Sequence, residues 1–168
     1  DICAILQQVT GATRVIKNGT SRARAAENLP EEMAQLSGPA ITAPLPVPMN
    51  GAIYMADVLG GQKTGLFYDQ RPNHAFAAGL AKGARVLDVF SHVGGFALAV
   101  LAAGAKSALS VDASQAALDL ASQGARDMAA EARFATRHGD AFAVLESLAD
   151  EGARFDLVVA DPPAFAPS

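Results

Sequence analysis

The sequence predicts an α/β fold: a doubly wound parallel sheet preceded by a small β-rich unit. Three observations predict it. Up to about residue 71, short strand-like runs are separated by turn-forming residues. From about Pro72 onward, strand and helix patterns alternate, which in a compact domain means crossover connections between parallel strands. Four of these strand patterns also end in a polar residue beside a turn, the place where sheets of this kind bind ligands. With 168 residues, 51% hydrophobic and 18% charged, and a formal net charge of −4, the chain is apolar enough to fold around a core.

In the first region, strands are expected at 13–17, 47–49 and 52–58, punctuated by Asn18-Gly19, Asn50-Gly51 and Gly60-Gly61. Asn50-Gly51 between two such runs marks a hairpin. Pro39, Pro44, Pro46 and Pro48 hold the intervening stretch extended, and a short helix is expected over 30–36. In the second region a helix over 72–81 leads into a strand at 85–90, apolar enough to be buried on both faces. A helix over 95–103, a strand at 108–112 and a helix over 114–130 follow, the last carrying Leu118, Ala121 and Ala125 on one stripe. A weaker strand at 134–137, a helix over 141–148 and a strand at 155–161 complete the series. The expected division is a β-rich accessory part, 1–71, and an α/β part, 72–168.

Composition excludes several classes. The longest apolar run, 95–105, falls short of the roughly 20 residues that span a bilayer, and residues 1–20 lack the organisation of a signal peptide. A lone Cys3 cannot form an internal disulfide, so a cytoplasmic location and no membrane partner are expected. Acids and bases balance over 1–71, and the whole −4 arises from 72–168. Arg14, Lys17, Arg22 and Arg24 form the one local basic cluster, which is either a phosphate contact or ordinary solvated surface.

The candidate site is read from the four strand ends. After the first lies Asp88-Val89-Phe90-Ser91-His92-Val93-Gly94-Gly95-Phe96. Its glycines either let a ligand approach the backbone at a helix start or allow tight packing of strand on helix. The second ends in Asp112-Ala113-Ser114, where a carboxylate accepts hydrogen bonds from ribose hydroxyls or caps the next helix. The third ends at His138-Gly139-Asp140-Ala141, with Asp140 either facing an adenine amino group or capping. The fourth ends at Asp161-Pro162-Pro163-Ala164-Phe165, whose prolines fix the backbone and leave rigid carbonyls and a carboxylate against which a flat base can rest.

These blocks, together with Gly61-Gln62-Lys63-Thr64-Gly65-Leu66-Phe67-Tyr68-Asp69-Gln70-Arg71, resemble the S-adenosylmethionine-dependent methyltransferases related to the bacterial large-subunit rRNA cytosine-C5 methyltransferase. The resemblance covers essentially the whole chain and implies a Rossmann-like methyltransferase sheet. It implies S-adenosyl-L-methionine as cofactor, with Asp88, Phe90, Gly94 and Gly95 lining its methionine end and Asp112 and Ser114 at its ribose. Asp140 and Ala141 would face its adenine, and Asp69, Gln70 and Arg71 would close over it, Arg71 being a partner for its carboxylate. Asp161 and Pro162 would border the target base. RNA, in particular rRNA, is the implied partner.

The chain also departs from the family pattern. His92 stands where relatives usually have tyrosine, and is read as a packed or solvent-facing histidine rather than a base. An acid expected near Asn50-Gly51, an asparagine after the helix that follows Asp112, and an arginine at His74 are missing. Cytosine C5 is a poor nucleophile, so its methylation needs a cysteine thiolate to add at C6. In this family that cysteine follows the fifth strand, whereas this chain stops after the fourth, so the chain is expected to be the cofactor-binding centre of a longer enzyme. Two alternatives stand beside this reading. One is methylation of an exocyclic amino group, whose enzymes place an aromatic directly after the second proline, where this chain has Ala164. The other is a non-catalytic cofactor-binding module. A nicotinamide-dependent oxidoreductase is disfavoured, because 91–96 lacks Gly-x-Gly-x-x-Gly.

Overall fold

The computed structural model describes residues 1–19, 24, 26–60 and 65–163, and these divide into two compact units, Asp1–Pro44 and Leu45–Ser168. The first unit opens with a helix, α1 (Ile2–Thr10), which the sequence reading did not anticipate. The Asp1 carboxylate caps it by accepting from the Cys3 N–H, and Gly11 closes it in a left-handed conformation. Its apolar residues Ile2, Ile5, Leu6 and Val9 recur at helical spacing and are exposed. Strand β1 (Val15–Asn18) then pairs antiparallel with β2 (Met33–Ser37).

Strand β2 overturns the helix expected over 30–36. Pro30 does not open a helix here, because the backbone groups of Met33, Ala34 and Gln35 pair with β1 instead. The Gln35 side chain then organises the turn that follows, donating to the Gly38 and Pro39 carbonyls and accepting from the Ile41 N–H. The first expected strand begins at Val15 rather than at residue 13. Of the basic cluster, Lys17 is ion-paired with Glu32 at 2.8 Å, and Arg14 and Arg24 donate to the carbonyls of Pro39 and Pro30. Arg22 lies outside the described residues.

The second unit begins with the hairpin of β3 (Leu45–Met49) and β4 (Ala52–Ala56). Asn50 and Gly51 take the two left-handed positions, φ 53° and 76°, that a tight two-residue hairpin turn demands. Pro46 and Pro48 sit within β3 and face solvent, as suits a strand with a free edge. After a 3-10 turn at Tyr68–Gln70 come α2 (Arg71–Leu80), β5 (Arg85–Val89), α3 (Gly95–Ala102), β6 (Ser107–Asp112), α4 (Gln115–Asp127), β7 (Phe134–His138), α5 (Ala141–Asp150) and β8 (Leu157–Ala160). Apart from differences of one to three residues at their ends, the largest at the C-terminus of α4, these are the expected elements.

The four strands β5 to β8 form one parallel sheet in the order β7-β6-β5-β8. On one face Val86 and Ala108 pack with Ala77 of α2 and with Ala97, Val100 and Leu101 of α3. On the other, Leu87, Val89 and Val111 pack with Ala141 and Leu148 of α5. Helix α3 is apolar all round because it is covered all round: Leu98 turns away from the sheet to meet Tyr54 and Ala56 of β4 and Ala117 and Ala125 of α4. Gly124 lets α4 and β4 approach this closely, since a Cβ there would lie 2.6 Å from the Ile53 carbonyl oxygen. The hairpin therefore belongs to the α/β unit. The compact units part between Pro44 and Leu45, well before the division at residue 71 that the change in sequence texture suggests.

Candidate functional site

The direction in which strands are added to the sheet reverses about β5, with β6 and β7 laid to one side and β8 to the other. At such a switch point the turns leaving the strands diverge and open a crevice at the strand C-termini. The turn after β5 is tightly wound: Phe90, His92 and Gly94 all have positive φ, 63°, 49° and 78°. Two of the three bear side chains, an uncommon choice of conformation that costs energy and tends to mark functional turns.

Asp112, at the end of β6, holds this turn. One carboxylate oxygen accepts from the His92 N–H at 2.7 Å and the other from the Ser114 N–H at 2.8 Å. Each oxygen keeps a further lone pair, and the half-buried side chain leaves them reachable. Ser114 caps α4 by accepting from the Ala117 N–H. The His92 ring packs edge-on against Phe67 at 5.2 Å, and burial lowers its pKa against the opposing pull of Asp112.

Asp88 sits one residue before the end of β5 and is only 1% exposed. One oxygen accepts from the Ala97 N–H at 2.9 Å at the start of α3. The other has no partner among the described residues, nor do the buried hydroxyls of Ser91 and Ser110, the latter in register with Asp88 on the neighbouring strand. Burial pushes the Asp88 carboxyl up to about 7, ahead of the opposing backbone N–H groups of Ala97 and Phe96 and alongside the charges of Asp112 and Asp161.

The two adjacent glycines pack against protein on their open sides. A Cβ on Gly94 would meet the Ala121 methyl at 3.0 Å, and one on Gly95 would meet His74 Nε2 at 2.7 Å. His74, on α2, enters the sequence reading as a departure from the family pattern, with no role of its own. It is buried, lies roughly parallel to the Tyr54 ring at 6.1 Å and meets Phe96 edge-on at 4.6 Å. Its Nδ1 is without a partner among the described residues, and burial lowers its pKa while Asp161 opposes the shift. The Tyr54 hydroxyl donates to the Gly95 carbonyl at 3.1 Å, so hairpin, α2 and the β5 turn meet at one point.

The remaining candidates fall into two groups. Asp140 caps α5, one oxygen accepting from the Phe142 and Ala143 N–H groups, and Ala141 turns its methyl into the core. Asp69 and Arg71 are exposed at the 3-10 turn and the start of α2. Gln70 is drawn the other way: its amide donates to Asp161 Oδ2 at 3.0 Å and accepts from Asn73 at 2.6 Å. Asp161 and Pro162 lie exposed just past β8, where a groove of about 390 Å³ begins, lined by Gln70, Asn73, Phe76, Phe96 and Val158 among others. The motif residues Gly61, Gln62, Lys63, Thr64, Ala164 and Phe165 lie outside the described residues. The described residues include no cluster of His, Cys, Asp and Glu that could hold a metal ion, and no helix among them is long and apolar enough to cross a membrane.

Comparison with known proteins gives three findings. A family model described as S-adenosylmethionine-dependent methyltransferase matches residues 12–168. The ribosomal RNA large subunit methyltransferase I of Aeromonas salmonicida is 38% identical over 149 residues, covering 86% of this chain and 37% of that protein. Among solved structures, a SAM-dependent methyltransferase from Streptococcus mutans superposes with a TM-score of 0.79 at 24% identity, over 96% of this chain and 41% of that one. A methyltransferase complexed with SAH, SMU.776, gives 0.80 at 24% identity, over 99% and 42%. The structural likeness carries the fold, and the chain spans about two fifths of the length of the curated relatives it matches.

Proposed function

The chain belongs to the S-adenosylmethionine-dependent methyltransferases, and on that footing we propose that the whole protein methylates C5 of a cytosine in large-subunit rRNA in the cytoplasm, with residues 45–163 forming its cofactor-binding centre. The name of the Aeromonas relative supports rRNA as substrate. The observation that carries the cofactor assignment is Asp112, fixed by two backbone N–H groups at the edge of the crevice with lone pairs to spare.

The residues present suit S-adenosylmethionine. Asp112 and Ser114 would hold the ribose hydroxyls, with Asp140 and the backbone of Ala141 beside the adenine. Phe90, Gly94 and Gly95 would border the methionine end, where Arg71 would meet the carboxylate and Asp69 would lie over it. The oxygens of Asp88 and Ser91 that lack partners among the described residues are buried polar atoms near the end of β5, of the kind an ammonium group or an ordered water satisfies. When bound, the cofactor supplies an electrophilic methyl group on a sulfonium. The task of this chain is then to position and to exclude water, with Asp161 and Pro162 bordering the target base. The one cysteine, Cys3, belongs to the unit Asp1–Pro44, so the thiolate that C5 chemistry requires is assigned to the remainder of the whole protein.

Calorimetry of the chain with S-adenosylhomocysteine tests the cofactor site. Affinity in about the micromolar range is expected, with Asp112→Ala weakening it by at least about tenfold; equal binding by the two proteins overturns the role given to Asp112. Nucleoside mapping of rRNA from a deletion strain tests the substrate, and an undiminished complement of 5-methylcytidine would refute it.

A further inference from the structure

The sequence reading gives Gln70 to the cofactor together with Asp69 and Arg71, but its hydrogen bonds lead elsewhere. We propose that Gln70 is a positioning residue for the target-base side of the site, holding the Asp161 carboxylate in place through an amide whose orientation Asn73 fixes. The inference rests on the methyltransferase reading above and adds to it a residue that acts on the acceptor rather than on the methyl donor.

The geometry is specific. A glutamine amide can present either its oxygen or its nitrogen to a neighbour. Here the Asn73 side-chain N–H, at 2.6 Å, occupies the Gln70 oxygen, which leaves the Gln70 N–H₂ to face Asp161 Oδ2 at 3.0 Å. Asn73 lies one helical turn beyond Gln70, so α2 itself sets the pair. The start of α2 is fixed from a second direction, because the Asn50 side chain at the hairpin tip donates to the Arg71 carbonyl at 2.9 Å. Asp161 thus has Oδ2 occupied by Gln70, and its exposed position leaves Oδ1 accessible to a further donor. A free carboxylate on the chain just past a strand end samples several rotamers, and holding one of them raises the fraction of encounters in which the base is correctly presented.

The experiment compares wild type, Gln70→Ala, Gln70→Glu and Asn73→Ala in the whole protein. Expected for Gln70→Ala are cofactor affinity and cofactor KM within about twofold of wild type and a kcat lower by about tenfold. Asn73→Ala shows the same pattern with a smaller loss. Gln70→Glu sets a like charge against Asp161 near neutrality, and its rate relative to wild type should recover as the pH falls from about 7 to about 5, as the introduced carboxyl gains a proton it can donate. A Gln70→Ala protein whose cofactor affinity drops tenfold while kcat at saturating cofactor is unchanged would overturn the proposal, as would a pH-independent Gln70→Glu. If wild type neither binds cofactor nor transfers methyl, the methyltransferase reading fails instead. The link itself is then judged in the 168-residue chain by the Gln70 side-chain amide resonances, which must shift on Asp161→Asn.

Discussion

Asp88 illustrates how a single buried group ties the site to pH. Its carboxyl, raised to about 7 chiefly by burial, is protonated in the folded chain over a range where the unfolded chain carries it ionised. That contribution to stability is fully present below about pH 4 and is lost as pH rises to about 7. His74 and His92 act in the opposite sense: burial lowers both, so their contribution is present above about pH 6.5 and is lost as the pH falls below it. Asp88→Asn keeps an oxygen for the Ala97 N–H and removes the titration. Thermal unfolding across pH 4 to 7 should therefore fall less steeply for the variant than for wild type, and parallel curves would refute the buried-acid account. None of this was legible from the residue alone. The sequence marks Asp88 as polar and near a strand end, but its burial depends on α3 folding back over it.

At the scale of elements, the parallel sheet was readable because each of its strands and helices carries its own periodic signal. The hairpin at Asn50-Gly51 was readable because its turn chemistry is local. What escaped depends on distant partners. Residues 30–36 have a helix-like start and become β2 only because β1 supplies a ladder. Helix α1 is short, and its apolar stripe Ile2, Ile5, Leu6 and Val9 spans too few turns to stand out as a period. The Tyr54–Gly95 and Gln70–Asp161 bonds join residues 41 and 91 apart, a separation over which no pattern runs. The glycine pair at 94 and 95 was open between ligand approach and packing, and the structure supplies packing partners for both. Two predictions belong here. Gly124→Ala gains helix propensity of about 1 kcal/mol but drives a methyl into the Ile53 carbonyl; overpacking of this kind costs about 1–3 kcal/mol, so chemical denaturation should show a net loss. Tyr54→Phe leaves the packing and removes the donor to Gly95, and should cost about 1 kcal/mol in the same assay.

For the molecule as a whole, each unit pairs its own strands, and the three buried hydrophobic clusters are drawn from Met49 onward. Residues 45–168 expressed alone should keep a cooperative thermal transition, and binding of S-adenosylhomocysteine should raise its midpoint; a chain that melts without cooperativity would show that the first 44 residues are needed for the fold. The doubly held carboxylate of Asp112 bears on how such binding would look. Because it joins the turn after β5 to the start of α4, the free protein has already given up the conformational freedom of that turn, and the ligand meets a surface that need not reorganise. Removing Asp112 releases three left-handed residues into an ensemble that each binding event must order again. Calorimetry of Asp112→Ala should therefore show its loss of affinity mainly in a less favourable entropy, together with a slower association.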